Sequence, residues 1–187
     1  MKGGAMKRIV VMLLFLGFLV GEICAESEMP IFTKTTEFMR VAFISYQGSF
    51  EQIPAVMEKL DKWIADNGYT AVGPPIGVYF DDPSQVPQDS LRWEIQQSIA
   101  EATLEKQFTD DIGIKTVEPM FVAVTYHKGA YEKVGEIYGA LFGWIGKNGY
   151  EVMGAPREIY WKCPKTTPVE KLLAEVQIPV TAKATEK

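Results

Sequence analysis

Residues 129–164 read GAYEKVGEIYGALFGWIGKNGYEVMGAPREIYWKCP: a loop, one amphipathic helix, a sharp stop and a strand. Residues 48–83, GSFEQIPAVMEKLDKWIADNGYTAVGPPIGVYFDDP, lie on top of them without a gap at an offset of 81 positions. Gly48 falls on Gly129, Trp63-Ile64 on Trp144-Ile145, Asn67-Gly68-Tyr69 on Asn148-Gly149-Tyr150, Tyr79 on Tyr160 and Pro83 on Pro164. The register holds on both sides, placing Val41-Ala42 on Val122-Ala123 and Glu94 and Gln96 on Glu175 and Gln177. One fixed offset over roughly 60 residues is the mark of an internal duplication. Two copies of one unit imply a pseudo-two-fold axis, and a site on such an axis receives equivalent residues from both halves.

Each copy reads strand, helix, strand, strand. In the first, 38–46 is rich in β-formers and 50–66 runs as a helix. Its Ile53, Val56, Met57, Leu60, Trp63 and Ile64 repeat at the spacing of one buried face. Asn67-Gly68 stops the helix, because glycine readily takes the left-handed conformation that closes a last turn. Strands follow at 76–80 and 91–99. In the second copy the strand at 121–126 precedes a helix over 131–147 with Val134, Ile137, Tyr138, Leu141, Phe142 and Ile145 inward. Strands at 157–161 and 174–180 complete it, and 112–117 reads as a short strand in the charged connection. The predicted fold class is therefore α+β, a tandem β-α-β-β duplication with a ligand cleft between two pseudo-two-fold halves. The predicted domain covers 38–180, with repeat 1 at 38–99, a connection at 100–118 and repeat 2 at 119–180. Residues 26–37 read as a linker and 181–187 as a disordered tail.

The first 25 residues read as a secretory signal. Lys2, Lys7 and Arg8 precede the uncharged run Ile9–Val20, which is too short to span a bilayer comfortably, and Ala25 is a plausible cleavage point. The expected location is periplasmic or extracellular, with no stable membrane insertion once the leader is removed. An uncleaved membrane anchor is the alternative, because Ile23 stands where a small residue is preferred. The mature chain would carry 16 Lys and Arg against 23 Asp and Glu, a net charge of −7, which gives no footprint for nucleic acid. It would keep Cys163 as its only cysteine, so no intramolecular disulfide is available and stability rests on the core. Cys163 reads as a partly buried apolar residue. A single histidine, His127, cannot make a histidine-based metal site, and reads as a loop residue; no metal or cofactor is expected. Trp63 and Trp144 read as core.

Strand alternation sorts the side chains into faces. With Val176, Ile178, Ile159, Val78, Phe80 and Ile95 turned to the helices, Glu175, Gln177, Tyr160, Tyr79, Glu94 and Gln96 turn away. If those far faces meet, they line a cleft with glutamates, glutamines and tyrosines, a setting for flat, apolar cations through charge pairing and cation–π attraction. Exposed Glu and Gln on an open sheet face is the plainer alternative.

The stretch HKGAYEKVGEIYGALFGWIGKNGYEVMGAPREIYW and the closing AEVQIPV resemble the GyrI-like small-molecule-binding family, the effector-binding module also fused to AraC- and MerR-type regulators. The resemblance implies tandem SHS2-type units around a ligand cleft. It implies a central ligand-binding glutamate in the last strand, Glu175, with Tyr160 and, less directly, Tyr79, Tyr138 and Trp93 as aromatic wall; Glu94 and Gln177 join them from the face alternation. The small-molecule ligand would be hydrophobic, aromatic or cationic. Some stand-alone members resemble hydrolases of electrophilic compounds, for which Glu175 would be the base, and a protein-interaction module is a further alternative. The sequence shows no DNA-binding domain, so transcriptional control is not expected.

Overall fold

The computed structural model describes residues 29–100 and 105–184. The predicted leader and residues 185–187 of the predicted tail lie outside the described residues. The elements are β1 (Phe32–Thr35), β2 (Met39–Gln47), α1 (Ile53–Asp66), β3 (Ile76–Tyr79), β4 (Arg92–Ser98), β5 (Lys106–Gln107), β6 (Ile112–Val117), β7 (Phe121–Lys128), α2 (Tyr138–Lys147), β8 (Tyr150–Val152), β9 (Arg157–Tyr160) and β10 (Leu173–Ala182). Among them no helix is long and apolar enough to cross a membrane.

The strands form one antiparallel sheet in the order β1-β7-β10-β9-β3-β4-β2-β6-β5, with β8 paired to the end of β10. The seam is β3–β9, where Ile76 pairs Ile159 and Val78 pairs Arg157. Outward from that seam the order is β4, β2, β6 on one side and β10, β7, β1 on the other, and each pair of counterparts is related by the 81-residue offset. The two halves therefore join edge to edge through backbone hydrogen bonds instead of meeting face to face as predicted.

The leading strands are exchanged. β1 precedes β2 in the chain but pairs with β7, and β6 precedes β7 but pairs with β2. Residues 26–37, predicted to be a linker, thus contain a strand that closes the other half's sheet. A signal for it stands in the sequence at the same offset: Ile31, Lys34, Thr35, Glu37 and Met39 recur as Ile112, Lys115, Thr116, Glu118 and Met120. At the other end β10 continues to Ala182 because Thr181 and Ala182 pair with Glu151 and Tyr150, so the predicted tail begins as strand. The strands β5 and β8, two and three residues long, are too short to show a pattern and were not predicted.

Both helices lie on one face of the sheet. α1 buries Val56, Leu60 and Ile64 against Ala42, Ile44, Trp93 and Ile95, and α2 buries Leu141 and Ile145 against Ala123, Val176 and Ile178. Met57 touches both clusters and ties the halves together. The ends of the two helices are built alike. Asn67 Nδ2 donates to the Trp63 carbonyl and Asn148 Nδ2 to the Trp144 carbonyl, both at 2.8 Å. Gly68 and Gly149 follow at φ +73° and +76°, where a side chain would be strained. Each helix is preceded by a 3-10 turn, 50–52 in the first half and the longer 131–137 in the second, so the second α-helix starts later than its periodicity predicts. Trp63 and Trp144 stack on Tyr69 and Tyr150, away from the seam, as packing residues.

Candidate functional site

A cleft of about 1760 Å3, open to solvent, lies over the seam and is lined from both helices and from the loops that follow β3 and β9. Its walls repeat across the pseudo-axis. Phe50 meets Tyr79 edge-on at 5.2 Å between ring centroids, and Tyr131 meets Tyr160 edge-on at 4.9 Å. Phe80 and Trp161, related by the same offset, stand half-exposed at the lips, and Phe142 adds a third exposed ring from α2.

The floor is not symmetric. Glu158 stands in β9, and its counterpart across the seam is Gly77, with which it pairs directly. Glu158 is 8% exposed, and its carboxylate accepts from Tyr138 Oη at 2.8 Å and from Tyr160 Oη at 2.7 Å. With the Tyr160 proton committed to the carboxylate, Tyr79 Oη donates to Tyr160 Oη across the seam. Gly77 leaves room for this chain. A Cβ there would lie 2.5 Å from Tyr79 Oη, inside any allowed contact. Among the described residues no lysine, arginine or histidine pairs with Glu158.

Burial pushes the Glu158 carboxyl above its ordinary range, and the tyrosine hydroxyls, with a smaller electrostatic contribution from His127, offset only part of that. Burial likewise pushes Tyr79, Tyr138 and Tyr160 upward, so all three stay protonated donors at neutral pH. The arrangement presents a buried acid with no ion-pair partner, ringed by π faces, while Glu51, Asp61, Asp82 and Glu132 line the cleft nearer solvent. That chemistry suits a positively charged aromatic guest. The cleft exceeds the roughly 300–1,000 Å3 of ordinary ligand pockets.

The family model of the GyrI-like small molecule binding domain matches residues 29–181. The chain belongs to the GyrI-like family. Its fold is shared with the C-terminal domain of EcmrR (TM-score 0.72, 17% identity, 83% of this chain and 99% of that one). Against EcmrR solved with DNA, the chain spans 58% of the longer protein. A conserved protein from Listeria innocua (TM-score 0.65, 14% identity, 82% of this chain and 93% of that one) has the fold too. So does SAV2435, solved bound to tetraphenylphosphonium (TM-score 0.54, 14% identity, 82% and 94%). No curated protein matches the chain in sequence.

In this GyrI-like chain the residues predicted for the site divide between the two sheet faces. Tyr79, Tyr160 and Tyr138 line the cleft, and Trp93 lies beneath it, 1% exposed, packed behind Phe50. Tyr79 and Tyr160 therefore face the helices, opposite to the prediction. Glu175, Glu94 and Gln177 lie on the far face and do not reach the cleft. The error is one residue of phase in β3 and β9. Tyr160 pairs Ala174 and Glu158 pairs Val176, which puts them on the helix face, while Ile159 and Arg157 share a face with Glu175 and Gln177. Apolar content misled the assignment because both faces are buried here: Ile76, Val78 and Ile159 form a small third core on the far side.

Glu175 and Glu94 have partners of their own. Lys34 Nζ lies 2.5 Å from Glu175, and Gln177 Nε2 donates to it at 2.7 Å. Lys115 Nζ lies 2.6 Å from Glu94, and Gln96 Nε2 donates to it at 2.6 Å. Their charges are neutralised inside the protein. Glu158, the buried acid in the cleft, was missed because it is one of the positions where the two copies differ, and a search for repeated residues passes over it. Cys163, predicted partly buried, is exposed at the rim, in a turn where its carbonyl accepts from Thr167 N–H. His127 lies inside β7, longer than predicted, with Nε2 at 2.9 Å from the Ala130 carbonyl oxygen.

Proposed function

We propose that this GyrI-like chain captures amphipathic aromatic cations in the seam cleft, with Glu158 as the charge partner and the Phe50–Tyr79 and Tyr131–Tyr160 pairs as ring contacts. The observation that carries the reading is a buried carboxylate held by tyrosine hydroxyls alone. A guest cation supplies the charge compensation that the fold withholds. The tetraphenylphosphonium complex of SAV2435, a protein of the same fold, is consistent with it.

The pH dependence tests this directly. The Glu158 carboxyl titrates above its ordinary value, so a cation meets a protonated, weaker site at acid pH. Affinity for tetraphenylphosphonium rises as pH climbs through the raised pKa and then levels off, with proton release on binding below the plateau. Neutral triphenylphosphine oxide shows no such rise. Calorimetric titrations of both compounds at several pH values check it, and parallel pH profiles would reject the charge role.

The reading includes export directed by residues 1–25, so that binding takes place outside the cytoplasm. The intact mass of protein recovered from the periplasm or medium should begin at Glu26; a full-length mass would reject cleavage.

A further inference from the structure

The far face of the sheet carries a second constellation, independent of the cleft. Two lysines, two glutamates and two glutamines are arranged about the pseudo-axis: Lys115–Glu94–Gln96 from one half and Lys34–Glu175–Gln177 from the other. Each lysine neutralises its glutamate. Between them stands Arg157, whose counterpart is the apolar Ile76, so the cluster holds three cations against two anions. Arg157 is 3% exposed. Its Nε and Nη1 have no partner, and Nη2 reaches only Gln96 Oε1 at a long 3.5 Å. A water shared with the unpartnered Gln177 Oε1 would satisfy one donor, and the one carboxylate whose charge acts on Arg157, Glu94, is already paired with Lys115.

Arg157 lines a cavity of about 540 Å3 beside the seam. Gln96 and Lys115 complete its polar end, and Glu118 is exposed among the lining residues. The remaining wall is largely apolar, including Val117, Met120, Phe121 and Met153, of which Phe121 is 40% and Met153 64% exposed. We infer that this cavity is a second ligand site, for a small carboxylate with an apolar body: the carboxylate pairs with Arg157 after a rotation of the guanidinium into the cavity, and the body covers Phe121 and Met153. A guanidinium is the side chain best matched to a carboxylate. The apolar wall distinguishes such a guest from an inorganic anion.

Benzoate is the ligand to use, titrated into the full-length chain by protein-observed NMR, with benzamide as its uncharged counterpart and inorganic phosphate as the bare anion. Benzoate should bind with millimolar or better affinity and shift resonances of Met120, Phe121 and Met153. Benzamide and phosphate should each bind at least about tenfold more weakly. Arg157→Met removes a buried charge without a partner and should stay folded, with benzoate affinity down about tenfold or more. Arg157→Lys, which keeps the charge but loses the planar fork, should retain part of it. Four results would overturn the inference: no benzoate shifts, as for a cavity holding water alone; equal binding of benzoate by Arg157→Met; phosphate binding as tightly as benzoate; or shifts confined to the tyrosines of the seam cleft.

Discussion

Glu158→Gln lowers the affinity for tetraphenylphosphonium by about thirtyfold, or about 2 kcal/mol, at the low end of what a desolvated charge partner contributes because the cleft is open on one side. The substitution keeps the size of the side chain and an oxygen that accepts from Tyr138 or Tyr160, so the aromatic walls stay in place. Binding of neutral triphenylphosphine oxide should therefore change by less than about threefold. Glu175→Gln, on the far face, should leave the cation's affinity within the same margin. Equal loss for charged and neutral compounds, or a loss in Glu175→Gln as large as in Glu158→Gln, would reject Glu158 as the charge partner. The empty protein gives an independent readout. A carboxyl with a raised pKa contributes stability that is present below its unfolded-state value and is lost as pH rises through the folded-state value. Relative to the parent, Glu158→Gln should therefore gain thermal stability on passing from acid to neutral pH.

Lys34→Met destabilises the fold by about 2 kcal/mol. It leaves Glu175, 2% exposed in its side chain, without a cation. Breaking a fully buried pair costs about 3–5 kcal/mol, and the value here is reduced because the lysine side chain is 36% exposed. The effect should appear as a fall in Tm of about 4–8 °C for a domain of this size. The double variant Lys34→Met/Glu175→Met should recover at least half of the loss, since no stranded charge remains. Because Lys34 sits in the exchanged strand β1, the same measurement reports whether that strand holds the second half together. A Lys34→Met protein within about 0.5 kcal/mol of the parent by urea denaturation would show that the exchange contributes little.

The strand-helix-strand-strand order of each copy was legible because it is written in local patterns. The apolar spacing of Val56, Leu60 and Ile64 and the Asn-Gly stops follow from residues close in sequence and stand in the structure as read; the repeat of Tyr79 at Tyr160 was legible too, but the face both rings take was not. The strand at 32–35 was legible in principle, through Lys34-Thr35 and Lys115-Thr116, but its short length and flanking proline disguised it.

The residues alone were enough for the family, the paired layout and the aromatic lining of the cleft. Which acid stands on the floor of the cleft came from long-range pairing alone. Alternation orders side chains within a strand, but the phase between two paired strands is fixed by their hydrogen-bond register, and that register is a long-range property of the sheet. With apolar residues buried on both faces, nothing local in β9 says whether Ile159 or Glu158 points to the helices. The pairing of Glu158 with Val176 and Gly77 answers it, and with that one pairing the carboxylate passes from the far face to the floor of the cleft.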